Sequence, residues 1–301
     1  MSIVHKFKQF WSWKRIYNNL KFLMKYDLLE EEYRIKDETI EDIVYEYEEL
    51  KQRLTFLTVY NETKTIEILE KEPKSFARYG DGEINVMKGE STGFQEYNAE
   101  LAKKMKEQLI QKKDNLYIGL NSSYFESPVK YSDRNRRFYR LYATPYRRFF
   151  NEICDPNNVY LDACCFGGYF RQGDSFDFDT HFNRVRNLFK DKSIAIVCGE
   201  GILDSLKYDL FDLCKERIMI NAPKKNAFDE YDAIIQKIKE NVPKDFLVCI
   251  ILGMTATVLA GDLADEGYIA WDIGHAAKDY NAYMEKIEKT DAVMDSFFAP
   301  D

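Results

Sequence analysis

The 301-residue sequence predicts an α/β fold, a Rossmann-like and mostly parallel sheet flanked by helices, with a helical extension at its N-terminus. Three observations predict it. From about Thr63 onward, short apolar runs alternate with amphipathic stretches, the pattern of strand–helix–strand units. Four of those runs lead straight into polar turns that contain glycine. Residues 1–55 differ, because they hold no glycine and no proline and repeat apolar residues at helical spacing. We therefore divide the chain into a helical extension, 1–58, and an α/β domain, 59–301.

The elements follow in order. The extension opens basic, with Lys6, Lys8, Lys14, Arg15, Lys21 and Lys25 all preceding the first acid. Phe7, Phe10, Trp11, Trp13, Ile16, Tyr17, Leu20, Leu23 and Met24 line one broad face of this first helix. Such a face suits packing on the adjoining domain or a second copy, and equally suits an anionic lipid surface. A second amphipathic helix follows, marked by Ile40, Ile43, Val44, Tyr47, Leu50 and Leu54, with its acids on a solvated face. In the α/β domain, strands are expected at 75–79, 116–120, 159–163, 193–198, 217–221, 246–252 and 268–273. Helices are expected at 98–113, 133–150, 228–239, 255–265 and 276–289.

Charge narrows the function. The net charge of -8 conceals eleven acids between Asp27 and Leu50, so the α/β domain is only mildly acidic. That argues against nucleic acid as a partner, since phosphate contacts require clustered Lys and Arg. No apolar run approaches the roughly 18 residues of a membrane span, and the N-terminus has no signal-peptide pattern, so a cytoplasmic location is expected. Cys154, Cys164, Cys165, Cys198, Cys214 and Cys249 show no C-x-x-C spacing and read as reduced thiols.

Open parallel sheets bind ligands at the carboxyl ends of their strands. The four glycine turns are Arg78–Glu83, Cys198–Gly201, Gly253–Thr257 and Asp272–His275, and a parallel sheet brings all four to one edge. In the first, Asp81 and Glu83 stand two residues apart, which on an extended segment aims both carboxylates to one side, with Gly80 and Gly82 leaving room beside them. Two hard oxygen ligands with space for a phosphate suit Mg²⁺ or Mn²⁺, and Arg78 is spaced to take a phosphate. An ordinary tight turn with solvated acids is the other reading. Gly253 opens a helix whose first turn holds Thr255 and Thr257, a backbone anion site, and His275 follows the last strand. Gly199 and Gly201 do not complete G-x-G-x-x-G, because residue 204 is Asp204. Gly89–Gly93 matches G-x-S-x-G in letters only; no strand feeds it, and it reads as a polar loop.

Ser75–Ile84 (SFARYGDGEI) with Phe94–Tyr97 (FQEY) resembles the opening of the bacterial glycosyltransferases with the GT-D fold. Leu252–Leu263 (LGMTATVLAGDL), Gly267–His275 (GYIAWDIGH) and Tyr280 resemble that family's closing segment, with Asp209–Phe211, Arg217–Ile218 and Ala222–Phe228 in order between them. The resemblance covers about residues 63–283. It departs at Gly199–Tyr208, which keeps Glu200 but lacks the family's glycines and Arg, and near Cys165–Tyr169.

The resemblance implies a UDP-sugar donor and a divalent cation, Mn²⁺ or Mg²⁺, with Asp81 and Glu83 as the metal–nucleotide pair. It implies that Arg78, Gly80, Gly82, Thr255, Asp272 and His275 line the nucleotide-sugar pocket, with Asn226 beside them. The acceptor would be a hydroxyl of a cell-surface glycan or glycoprotein, lipid-linked or not. Glu200 and Asp272 are the candidates for a base. The residues themselves also leave open a metal-dependent phosphoester hydrolase and a non-catalytic nucleotide-sugar-binding scaffold.

Overall fold

The computed structural model of the chain describes residues 57–126 and 130–298. Both helices expected within residues 1–55 lie outside the described residues. By its contacts the chain divides at Arg53/Leu54, and every described residue belongs to the second unit, Leu54–Asp301.

The first half of that unit runs β1 (Thr58–Val59), α1 (Glu62–Lys71), β2 (Ser75–Tyr79), α2 (Asp81–Lys88), α3 (Ala99–Ile110), β3 (Leu116–Leu120), α4 (Asp133–Ile153) and β4 (Val159–Asp162). The second half runs α5 (Phe178–Asn187), β5 (Ser193–Gly199), β6 (Glu216–Ala222), α6 (Tyr231–Asn241), β7 (Leu247–Ile251), α7 (Met254–Asp265), β8 (Ile269–Asp272), α8 (Ala276–Glu285) and α9 (Asp291–Phe298). Eight parallel strands form one sheet in the order β1-β4-β3-β2-β8-β7-β5-β6. Because β1 pairs with β4 at Thr58↔Val159, the sheet already includes residue 58.

All seven expected strands are present, and 75–79 and 116–120 match residue for residue. Both faces of the sheet are covered, so its central strands are apolar without alternation; every residue of β7 is buried. On one face Phe76, Leu161, Ile196, Cys249 and Trp271 pack against Phe182, Tyr280 and Tyr283 of α5 and α8. On the other face α7, buried over most of its length, lies across β2, β7 and β8 and against α3.

Helices α1, α2, α5 and α9 are additional to the expected set. α1 starts where Asn61 caps it, the side chain accepting from Lys64 N–H at 2.9 Å. The six cysteines are unbonded, with Cys164 and Cys214 partly exposed and the rest buried. Among the described residues, no helix is long and apolar enough to cross a membrane.

The order of strands places β2 beside β8 at the middle of the sheet, where the chain leaving β2 turns away toward β3 and β4. That reversal opens a crevice at the carboxyl ends of the strands, the position at which such sheets take ligands.

Candidate functional site

A cavity of about 650 Å³ occupies that crevice. Its floor comes from the ends of β2 (Arg78, Gly80), β7 (Gly253, Met254) and β8 (Gly274, His275). Beyond Arg78 it continues over the ends of β3 and β4.

The chain after β2 is helical. Gly80 is the N-cap of α2, and Glu83 reaches back so that its Oε2 accepts from Gly80 N–H at 2.7 Å, the carboxylate half of a capping box. The extended geometry expected for Asp81 and Glu83 is therefore corrected. Two residues apart on a helix, their side chains leave the axis about 200° apart instead of on one side. Both line the cavity, in different ways. Asp81 is exposed to it and makes no ion pair among the described residues, and desolvation by the surrounding walls lifts its carboxyl above the ordinary range. Glu83 turns inward, with Oε1 3.5 Å from the Thr257 hydroxyl. Burial, and then the charge of Asp272, push it up to about 7.

Behind them lies an ion pair. Arg78 Nη2 donates to Asp272 Oδ1 at 2.9 Å and its Nη1 donates to the Ala163 carbonyl at 2.8 Å. Asp272, 2% exposed, also accepts from Gly274 N–H at 3.1 Å. Desolvation raises its carboxyl while Arg78 draws it down. Nε of Arg78 is buried without a hydrogen-bond partner among the described residues, leaving one donor of a cavity-lining guanidinium unspent.

The remaining expected residues separate into those that reach the cavity and those that hold its walls. Gly82, Gly253 and His275 line it, the imidazole packed 5.6 Å from the rings of Phe94 and Phe297. Thr255 and Thr257 do not. Their hydroxyls are directed inward, Thr255 toward Gln95 Oε1 at 3.4 Å and Thr257 onto the Arg78 carbonyl at 3.0 Å. What α7 offers a ligand is its backbone N–H groups beside Gly253. Asn226 stands outside the lining, its Oδ1 accepting from Glu96 N–H at 2.8 Å, and so fastens the Thr92–Glu96 loop that carries Phe94. Gly89 is the left-handed C-cap of α2, and no strand precedes Ser91, so the Gly89–Gly93 segment is a loop and no nucleophile elbow.

Neither expected base reaches the cavity. Glu200 is exposed on the turn after β5, outside the lining, and Asp272 sits behind Arg78 with its oxygens committed. Sequence reasoning also passed over Asn121, Tyr124, Phe138, Arg171 and Lys224, all of which line the cavity. Asn121 and Tyr124 follow directly on the end of β3, so the strand-end rule would have reached them had it not demanded glycine.

The described residues gather no cluster of three or more His, Cys, Asp or Glu able to hold a metal. Mg²⁺ and Mn²⁺ do not need one, since they take one or two carboxylates and complete their shell with phosphate oxygens and water. The cavity-facing carboxylate of Asp81 fits that requirement, with Glu83 next to it.

The sequence matches the glycosyltransferase GT-D fold family over residues 76–299. The chain belongs to that family. Among solved structures, the GT-D chain is similar to the domain of unknown function 1792, described as having a distinct glycosyltransferase fold, at 30% identity and a TM-score of 0.72, covering 78% of this chain and 84% of that one. It is also similar to a new glycosyltransferase from Streptococcus sanguinis, at 28% identity and a TM-score of 0.71, covering 77% and 86%. A curated relative, the probable glycosyl transferase Gly of Streptococcus gordonii, is 28% identical over 76% of the GT-D chain and 33% of its own length. Glycosyltransferase GlyD of Streptococcus pneumoniae serotype 4 is 26% identical over 80% and 29%. The GT-D chain thus spans about a third of the curated relatives it matches.

Proposed function

We propose that this chain transfers a sugar from a UDP-sugar to a hydroxyl of a cell-surface glycan or glycoprotein, with Mn²⁺ or Mg²⁺ bound at Asp81 and Glu83. The observation that carries the reading is the set of N–H donors on one side of the cavity, together with a lysine there that has no ion-pair partner among the described residues. Lys224 lines that side and makes no ion pair among the described residues, α7 presents its N-terminus beside Gly253, and Arg78 keeps an unspent Nε–H. A diphosphate answers all three. When bound, the cation would neutralise charge on the leaving diphosphate. Asp81 would hold it directly, while Glu83 fixes the Gly80 turn and adds negative charge behind it. Arg78 is oriented by Asp272 to take a phosphate oxygen, and His275, packed against Phe94 and Phe297, would help neutralise charge on the departing group.

UDP release from a panel of UDP-sugars, with Mn²⁺, with Mg²⁺ and with chelator, tests this. Release stimulated at least about tenfold by one of the metals is expected. Free phosphate from simple esters would replace the reading with a hydrolase, and tight UDP binding without turnover on any acceptor would replace it with a nucleotide-sugar-binding scaffold.

We further place the enzyme in the cytoplasm, brought to the inner face of the plasma membrane or to a second copy by the basic, aromatic residues 1–55. Deleting the residues before Asp27 should then reduce liposome binding or oligomer size with UDP affinity intact; loss of neither would remove that role.

A further inference from the structure

We propose that the half of the cavity over β3 and β4 is the acceptor subsite, and that it takes a neutral sugar ring. The proposal rests on the donor reading above, which assigns the β7–β8 half to the UDP-sugar. The two halves differ in charge and in surface.

On the β3–β4 side the buried guanidinium that lines the cavity is paired. Arg171, 6% exposed, donates through Nη2 to the fully buried Asp162 at 3.2 Å, and its Nη1 lies 3.5 Å from Asn121 Oδ1. No charge is left over there for a phosphate or a carboxylate, in contrast to Lys224 on the other side.

What is left over is hydrogen-bonding capacity. Nε of Arg171 and the hydroxyl of fully buried Tyr124 have no hydrogen-bond partner among the described residues. Asn121, 7% exposed, accepts at Oδ1 from Ser123 N–H and Oγ–H, at 3.2 and 2.6 Å, and its side chain also hydrogen-bonds Tyr139, so it fixes this wall. All three residues line the cavity. Buried polar groups are normally satisfied, so two unspent ones, Arg171 Nε and the Tyr124 hydroxyl, on residues that line one wall mark a place where a ligand supplies the partners. Sugar hydroxyls suit it, because each both donates and accepts.

The same half of the cavity is also aromatic. Phe138 of α4 is partly exposed to the cavity, its ring 5.6 Å from that of Tyr139 and 4.8 Å from that of Tyr142. An apolar ring in the same half of the cavity as unspent hydrogen-bonding groups matches a pyranose, which presents C–H bonds on its face and hydroxyls at its rim.

Saturation-transfer NMR on the full chain, with UDP and Mn²⁺ present, tests the subsite using methyl glycosides of neutral hexoses and N-acetylhexosamines against methyl glucuronide. The neutral glycosides should show transfer and the glucuronide should not. Tyr124→Phe, which removes one hydroxyl, should weaken the neutral glycosides about threefold or more, and Phe138→Ala should bring their signal near background. Calorimetric titration of the same variants with UDP reads the donor half separately. Neutral glycosides that fail to bind while UDP binds, that bind both variants as well as the unmodified chain, or that are matched by the glucuronide would overturn the subsite with the donor reading standing. Failure of UDP itself to bind would overturn the donor reading and the division of the cavity with it.

Discussion

Asp81→Asn is expected to lower metal-dependent transfer about 10²–10³-fold, with the fold retained and with the lost activity partly restored by raising the metal concentration. The substitution keeps size and the helix start but removes the carboxylate that faces the cavity without an ion-pair partner among the described residues. Glu83→Gln should behave differently. The amide oxygen can still accept from Gly80 N–H, so the capping box survives, and a loss nearer tenfold is expected. Its mark should lie in the pH profile. Glu83 is held at about 7, so it gains a proton as the pH falls through neutrality, and apparent metal affinity should fall with it. In Glu83→Gln that step should flatten. The stability effect runs the opposite way. A carboxyl whose folded pKa is raised contributes stability at acid pH that is lost as the pH rises toward about 7, and Glu83→Gln should keep it. Metal titrations at several pH values, alongside thermal melts, check both. Equal activity of Asp81→Asn and the unmodified chain at every metal concentration would remove the cation from Asp81.

Gly274→Ala is expected to cost about 3–5 kcal/mol of stability, the cost of disrupting a buried ion pair. A Cβ there would stand 2.0 Å from Arg78 Nη2 and 2.8 Å from its Cζ, so the guanidinium must leave Asp272. The backbone adds to it, because Gly274 has φ +48°. Gly267→Ala separates the two contributions. Gly267 also has positive φ, at +85°, but a Cβ there meets nothing within 4 Å, so only the conformational cost of about 1 kcal/mol should appear. Chemical denaturation of the two variants gives the comparison. Donor affinity should fall in Gly274→Ala alone, since Arg78 lines the cavity and Gly267 does not. Similar losses in both variants would mean that the Arg78–Asp272 pair contributes little.

How far the sequence reached depends on the element. Strands such as Leu116–Leu120 were legible because a sheet covered on both faces writes its strands as short apolar runs between polar turns. Helix α2 was not, since an eight-residue segment beginning DGE after another glycine has poor intrinsic helix propensity. It forms because Glu83 caps Gly80 N–H and because Gly89 can adopt φ +97° at its other end. Helices α5 and α9 carry apolar residues at helical spacing, Phe178, Phe182 and Val185 in one and Val293, Met294, Phe297 and Phe298 in the other, but at ten and eight residues they are too short for the period to stand out, and they are completed by packing on other elements, as Phe182 of α5 is on Tyr283 of α8.

The site divides along the same line. By itself the sequence determined that the sheet is parallel, that the turns after β2, β7 and β8 meet at one edge, and which family the residues of those turns resemble, because strand alternation and turn chemistry are local properties of the chain. Only the tertiary structure decided which side chains face the cavity. Arg78 and Asp272 lie 194 residues apart in the chain yet form one ion pair, Thr255 and Asn226 turn out to brace the walls, and Asn121, Tyr124 and Arg171 join the lining from the segments that follow β3 and β4. The direction of a side chain is set by contacts made across the sheet, and no local pattern encodes those contacts.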